Sequence, residues 1–462
     1  MRCAILPPRR GSLNSTRPTV PAGLQSLTRR SNPERPGPTP SIDRLVIIPH
    51  LGAGGAQRVA TLLLNHWQSQ GLHCGVITLF PAEDAYQLDP AILREDFVPG
   101  TDPDNARDPV AKLYFRLEGQ LESKSDSRAR LKRALADLGL ASMRLVRRVR
   151  AYILIHFFVE WVAARSSRVR RLHKRFVELN PPVIISFLGA TNIQTLLAVR
   201  GLPIRVLISE RNDPALQRLD PPWERLRPRV YPEADLVTAN SAGALRTMRA
   251  YVPEHKLRQV ANPLQIPPCP DGIVRRQPRL IAVARLVHQK GYDLLLRAFA
   301  RAATAAPEWQ LDIVGDGPLR AELEAQATAL GIAHRVHFHG HQPDPFPFLY
   351  GASIFVLPSR FEGMPNAMLE AMGCGLAICV SDASPGPLEL IRDRETGMVV
   401  RSEDVDALAA ALGELMADPA LRGRLSTAAL DVAQSMRLEI VAAQWEQLIG
   451  ELDASAAVTV SV

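Results

Sequence analysis

From Ile42 onward the apolar positions follow two alternating rhythms. IDRLVIIPH (42–50) carries the β-branched run of a buried strand. LGAGGAQRVATLLLNHWQSQG (51–71) turns into a helix, with Leu62, Leu63 and His66 at helical spacing, and HCGVITLF (73–80) predicts a second strand. A strand, a glycine turn, a helix and a strand open a doubly wound parallel sheet. The rhythm resumes with PPVIISF (181–187), a helix over 190–200, IRVLIS (204–209), the turn SERNDP (209–214), a helix near 223–231, ADLVTAN (234–240) and a helix from Ser241. The irregular, charged stretch between, 81–182, reads as an insertion.

A proline-rich connector, ANPLQIPPCPDG (261–272), separates this series from a second one. RLIAVA (279–284), a helix from Tyr292, WQLDIVG (309–315), a helix from Pro318, RVHFHG (335–340), SIFVLP (353–358), a helix from Asn366, LAICVS (376–381), a short helix near 387–391 and GMVV (397–400) again alternate strand with helix. The expected fold is α/β, two tandem Rossmann-like domains facing across a cleft. Residues 1–41 are expected to be a disordered basic extension. Residues 42–262 form the amino-terminal domain, with a basic amphipathic insertion over about 100–180. Residues 263–435 form the second domain, and 436–462 an amphipathic helix and tail that packs back across a domain.

Composition sharpens this picture in two places. The chain of 462 residues is 46% hydrophobic and 22% charged, within the soluble globular range. Its formal charge of +8 is unevenly spread: residues 1–40 carry +6 and residues 128–175 carry +12, which leaves −10 for everything else. Five scattered cysteines (Cys3, Cys74, Cys269, Cys374, Cys379) with no close CxxC pair argue against a disulfide framework or a structural zinc site, and fit a reducing cytosol.

Three segments carry candidate chemistry. Gly52-Ala53-Gly54-Gly55 follows a strand and opens a helix, where bare backbone can approach a phosphate or a sugar and the helix N-terminus offers unpaired N–H groups. A plain tight turn reads equally well there, since the pattern is not GxGxxG. Arg285 and Lys290 lie five positions apart in the loop after strand 279–284, close enough to converge on one diphosphate. The third segment is the most specific: Ser359-Arg360-Phe361-Glu362-Gly363-Met364-Pro365-Asn366-Ala367-Met368-Leu369-Glu370. Its first glutamate can point into the cleft, Gly363 and Asn366 offer amides to phosphate, and the second glutamate can bond a ribose diol.

With these motifs the sequence resembles glycosyltransferase family 4, the retaining GT-B group 1 glycosyl transferases of bacterial surface-polysaccharide type. The resemblance rests on GAGGAQRV (52–59), VANPL (260–264), ARLVHQKG (284–291), IVGDGPLRAEL (313–323), FEGMPNAMLEAMGCG (361–375) and DASPGPLELI (382–391). It implies that Arg285 and Lys290 hold a donor diphosphate, Glu362 contacts the donor sugar, and Glu370 binds the nucleoside ribose. Gly54, Gly55, Gly315, Gly363, Met364, Asn366 and Ala367 would line the same donor site. It further implies transfer from a nucleoside-diphosphate sugar, UDP- or GDP-linked, to a lipid-linked or polysaccharide acceptor in cell-envelope glycan synthesis. No metal and no cofactor are expected, because no Asp-x-Asp loop is needed when cations and a helix N-terminus neutralise the leaving group. A sugar-nucleotide 2-epimerase and a non-catalytic sugar-nucleotide-binding protein are the rival readings.

Many family members carry a histidine where the first domain meets the sugar, but no histidine lies between 174 and 254 here. Glu210, Arg211 and Asn212 occupy the matching turn. An acceptor or sugar role and a structural Asx turn before Pro214 both remain open for it. In the insertion, Arg144, Arg147 and Arg148 share a helical face, and AYILIHFFVEWVAA (151–164) is too short and too polar to span a bilayer. Phe157, Phe158 and Trp161 can dip into a membrane interface while the arginines meet anionic lipid. The expected location is therefore cytoplasmic, peripheral on the inner face of the cell membrane. The alternative packs this apolar face on the amino-terminal domain. No nucleic-acid partner is expected, since no reading motif accompanies the charge.

Overall fold

A computed structural model describes residues 41–97, 160, 164, 166–269, 272 and 276–459, all within one compact unit. The residues on which the membrane reading rests (Arg144, Arg147, Arg148, Phe157, Phe158 and Trp161) lie outside the described set, as do residues 1–40.

The amino-terminal half runs β1 (Arg44–Ile48), α1 (Gly55–Ser69), β2 (Cys74–Thr78), β3 (Leu93–Asp96), α2 (Ser167–Leu179), β4 (Val183–Phe187), α3 (Gly189–Val199), β5 (Arg205–Glu210), α4 (Pro221–Val230), β6 (Leu236–Ala239), α5 (Ala242–Met248) and β7 (Leu257–Gln259). Its seven strands pair in parallel in the order β3-β2-β1-β4-β5-β6-β7. β2 and β4 are buried at every position, as strands covered by helices on both faces must be.

The second half runs β8 (Arg279–Val283), α6 (Tyr292–Ala302), β9 (Gln310–Val314), α7 (Arg320–Ala329), β10 (Val336–Gly340), α8 (Phe346–Gly351), β11 (Ile354–Leu357), α9 (Asn366–Gly373), β12 (Ala377–Ser381), α10 (Pro385–Leu388), β13 (Met398–Val400), α11 (Val405–Ala417) and α12 (Pro419–Gln434). Its six strands repeat the winding, β10-β9-β8-β11-β12-β13. Strand order therefore reverses between β1 and β4 in one sheet and between β8 and β11 in the other. Such reversals leave a crevice beyond the strand carboxyl ends, and the glycine turn after β1, the basic loop after β8 and the two-glutamate segment after β11 all open there.

A final helix, α13 (Leu438–Thr459), returns to the first half. Its Val441, Ala442, Trp445 and Leu448 join the core formed by β1, α1 and β4, with the Trp445 ring 5.9 Å from that of Phe187. The chain thus crosses between the halves twice. The crossings are bonded to each other, Leu264 N–H donating to Met436 O at 2.7 Å and Leu438 N–H to Leu264 O at 2.9 Å.

The insertion is narrower than the sequence pattern suggests. Leu93–Asp96 is an edge strand paired with β2, and its half-exposed, charged LRED sequence lacks the apolar run that marks a buried strand. Ser167–Leu179 belongs to the fold as well. Ser166 caps it by accepting from Val169 N–H, and Val169, Leu172 and Phe176 bury one face, so the dense arginines that suggested an insertion form its outer side.

Candidate functional site

Two loops of the second half build the cleft floor. The loop after β8 ends at Gly291, which is in the left-handed region (φ 67°), and a Cβ there would lie 2.1 Å from Pro358 O. This close approach lets the basic loop lie against the loop after β11. Gln289 Nε2 donates to Phe361 O at 2.9 Å and Arg360 N–H donates to Gln289 O at 2.7 Å. Arg360 also forks onto Asp293, with both bonds at 2.9 Å.

On this floor Lys290 Nζ donates to Glu362 Oε1 at 2.6 Å, and the Lys290 and Glu362 side chains are 15% and 8% exposed. Ser359 Oγ donates to the same oxygen at 2.6 Å, and the Glu362 amide donates to Ser384 Oγ at 2.9 Å. The carboxylate is fixed through one oxygen, and the ammonium keeps two further donors. Arg285 is exposed and has no ion pair among the described residues. Lys290 is thus engaged by Glu362, whereas Arg285, on the same loop, is not.

Glu370 lies in the first turns of α9 and is 5% exposed at its side chain. Burial pushes its carboxyl above the ordinary range, and the nearby Arg58 opposes that shift. Arg58 belongs to α1 in the other half, and its Nη1 stands 3.0 Å from Glu370 Oε1. The first turn of α1 makes a second contact across the cleft: Asn366 Nδ2 donates to Gly55 O at 3.1 Å. Asn262, in the connector, donates to Met364 O at 2.8 Å and to Asn366 Oδ1 at 2.5 Å. Neither α1 nor α9 has a side-chain cap, so both present amides at their starts. Gly54 stands before the start of α1, Met364 is buried beneath the loop, Ala367 is half-buried in the first turn of α9, and Gly315 lies against Ala284 O at the end of β9.

The SERNDP turn faces this floor with its backbone. A Cβ on Gly363 would lie 2.6 Å from Arg211 O, so the two halves meet there without room for a side chain. The Glu210 and Arg211 side chains turn inward. Glu210 accepts from the Tyr231 hydroxyl and lies 3.7 Å from Arg227; burial pushes its carboxyl up against the pull of Arg227. Arg211 donates to Val260 O and Asn262 Oδ1 and lies over the rings of Phe187 and Trp445, with burial pushing its guanidinium down to about 9. Asn212 remains half-exposed.

The sequence reading singled out neither Arg58 nor Asn262. Arg58 did leave a signal, since a cation early in a helix opposes the helix dipole and calls for another reason to be there.

Two facing parallel sheets with these loops at their reversal points define a GT-B fold. HepE of Anabaena in complex with UDP superposes on it with a TM-score of 0.66 at 17% identity, covering 89% of this chain and 100% of that one. Residues 271–432 match the family described as glycosyl transferases group 1. A lipopolysaccharide core biosynthesis glycosyltransferase of Rhizobium meliloti, LpsE, is 38% identical over 149 residues, 32% of this chain and 42% of that protein. A Campylobacter jejuni protein named as an alpha-1,4-N-acetyl-D-galactosaminyltransferase of a GalNAc-diNAcBac-PP-undecaprenol saccharide is 28% identical over 295 residues, 63% of this chain and 80% of that protein. The chain spans 18%, 42% and 54% of the lengths of three curated relatives.

Proposed function

We propose that the chain is a retaining glycosyltransferase that moves a sugar from a UDP- or GDP-sugar to a hydroxyl of a lipid-linked or polysaccharide acceptor in bacterial cell-envelope glycan synthesis. The observation that carries this reading is the buried Lys290–Glu362 pair at the sheet reversal, 2.6 Å apart, with the uncapped start of α9 beside it. A departing nucleoside diphosphate gathers negative charge as the bond from sugar C1 to the β-phosphate oxygen breaks. The two spare donors of Lys290, the free guanidinium of Arg285 and the amides of Asn366 and Ala367 are preorganised cations and dipoles for that charge. Glu362, held by Ser359 and Lys290 through Oε1, offers Oε2 to a sugar hydroxyl. The acceptor oxygen bonds to C1 on the face the diphosphate leaves, and its proton passes to the leaving phosphate oxygen.

The lipid-linked acceptor class draws support from the names of the Rhizobium and Campylobacter relatives. Peripheral docking on an anionic membrane draws support from the charge of residues 128–175, five of whose fourteen basic residues lie in α2. No helix among the described residues is long and apolar enough to cross a membrane.

The test is incubation of the full chain with UDP- and GDP-sugars and bacterial lipid extract, followed by mass spectrometry of both lipid and nucleotide. A sugar-sized mass gain on lipid or glycan, with stoichiometric nucleoside diphosphate, supports transfer. An epimerised nucleotide sugar formed without acceptor overturns it in favour of the epimerase.

A further inference from the structure

Arg58 is built into place more firmly than a surface arginine. Its guanidinium lies 5.8 Å from the ring centroid of Tyr86 in the first half and 5.5 Å from that of Phe346 in the second, a bracket of two aromatic faces. The Tyr86 hydroxyl donates to Gly54 O at 3.3 Å, tying the bracket to the start of α1. The arginine reaches across the cleft to Glu370 Oε1, and among the described residues Oε2 has no hydrogen-bond partner. A buried carboxylate with one oxygen paired and one free is poised to accept from a ligand.

We propose that Arg58 is a positioning residue for nucleoside recognition: from the amino-terminal half it holds the Glu370 carboxylate in the orientation that accepts donor ribose hydroxyls, so the nucleoside subsite is complete only when both halves are apposed. This rests on the donor-site reading above. Affinity for the nucleotide and apposition of the halves are then two sides of one coupling free energy, each strengthening the other. Unlike a contact between residues of one half, this arrangement makes the amino-terminal half a participant in donor binding.

Arg58 also biases the charge state in which Glu370 meets the ribose, against the effect of burial. Burial and Asp344 push the Glu370 carboxyl up, Arg58 pulls it down, and Tyr86 and Cys374 also lie within electrostatic reach. Without Arg58 the carboxyl holds its proton to higher pH, and a protonated Glu370 accepts fewer hydroxyl bonds.

The experiment is calorimetric titration of the full chain with UDP, GDP and their 2′-deoxyribose counterparts between pH 6 and 8.5, for the wild type, Arg58→Ala and Arg58→Lys. The wild type is expected to favour the ribonucleotide by about 10-fold or more, the scale of one hydrogen bond to a buried charge. Arg58→Ala should lose most of that preference, and its remaining preference should shrink further as pH falls. Arg58→Lys should restore a clear preference, which separates loss of the cation from loss of the fold. Unchanged ribose preference in Arg58→Ala, or tighter ribonucleotide binding by it, overturns the proposal, the latter by making Arg58 a block rather than a support. A wild type that binds neither UDP nor GDP instead overturns the donor-site reading itself.

Discussion

At the scale of single residues, the site is organised around carboxylates that need partners. Lys290→Ala would leave Glu362 with only the Ser359 hydroxyl on its bound oxygen and would remove one of the cations proposed to meet the leaving diphosphate. Donor turnover should fall at least about 100-fold, the usual consequence of losing one preorganised charge-stabilising group. Release of UDP or GDP from the sugar nucleotide measures it. Gly363→Ala tests the meeting of the halves. Its methyl would sit 2.6 Å from Arg211 O, so the loop and the SERNDP turn must separate. Nucleotide affinity should drop while the thermal unfolding midpoint stays near that of the wild type, a pair of results that calorimetry and a melting curve deliver together.

Glu362, Lys290 and Glu370 were legible in the sequence because their spacing from glycines and prolines is local. Their partners were not. Arg58 and Glu370 are separated by 312 positions, and nothing in either neighbourhood names the other. For the SERNDP turn the sequence left an acceptor or sugar role and a structural turn both open; Tyr231, Arg227 and two aromatic rings enclose the Glu210 and Arg211 side chains.

At the scale of elements, the strand and helix rhythm predicted nearly every piece of both sheets, because parallel strands buried on both faces read as continuous apolar runs. It failed where burial fails. The edge strand Leu93–Asp96 has one covered side and a charged sequence, and α2 hides a three-residue apolar stripe among arginines. The closing helix α13 was expected to pack back across a domain, and it does so by inserting Trp445, which is fully buried, beside Phe187. Trp445→Ala should therefore destabilise the amino-terminal half by about 3–5 kcal/mol, although the residue lies far along the chain from that half. Urea unfolding would show it as a lowered midpoint.

At the scale of the whole molecule, charge and chemistry are separated. The body outside residues 1–40 and 128–175 carries −10, and residues 128–175, which run from the insertion into α2, carry +12. A body of that sign is repelled by anionic lipid, so any attraction must come from the two basic segments, 1–40 and 128–175, and it must be sensitive to salt. Deleting residues 128–164 should sharply weaken flotation with phosphatidylglycerol vesicles at low ionic strength while leaving UDP or GDP binding intact. Absence of flotation by the intact chain under the same conditions would refute membrane docking without touching the cleft.

The paired crossings at Leu264 and Leu438 carry a consequence for inheritance and for engineering. Because α13 completes the first core, the amino-terminal half is discontinuous in sequence, and the second half is a cassette inserted within it. A chimaera that exchanged everything after the connector would take Trp445 away from Phe187 and unroof the recipient's core. One that exchanged only residues 265–436 would keep that core whole, leaving Arg58 to find its glutamate in a new second half.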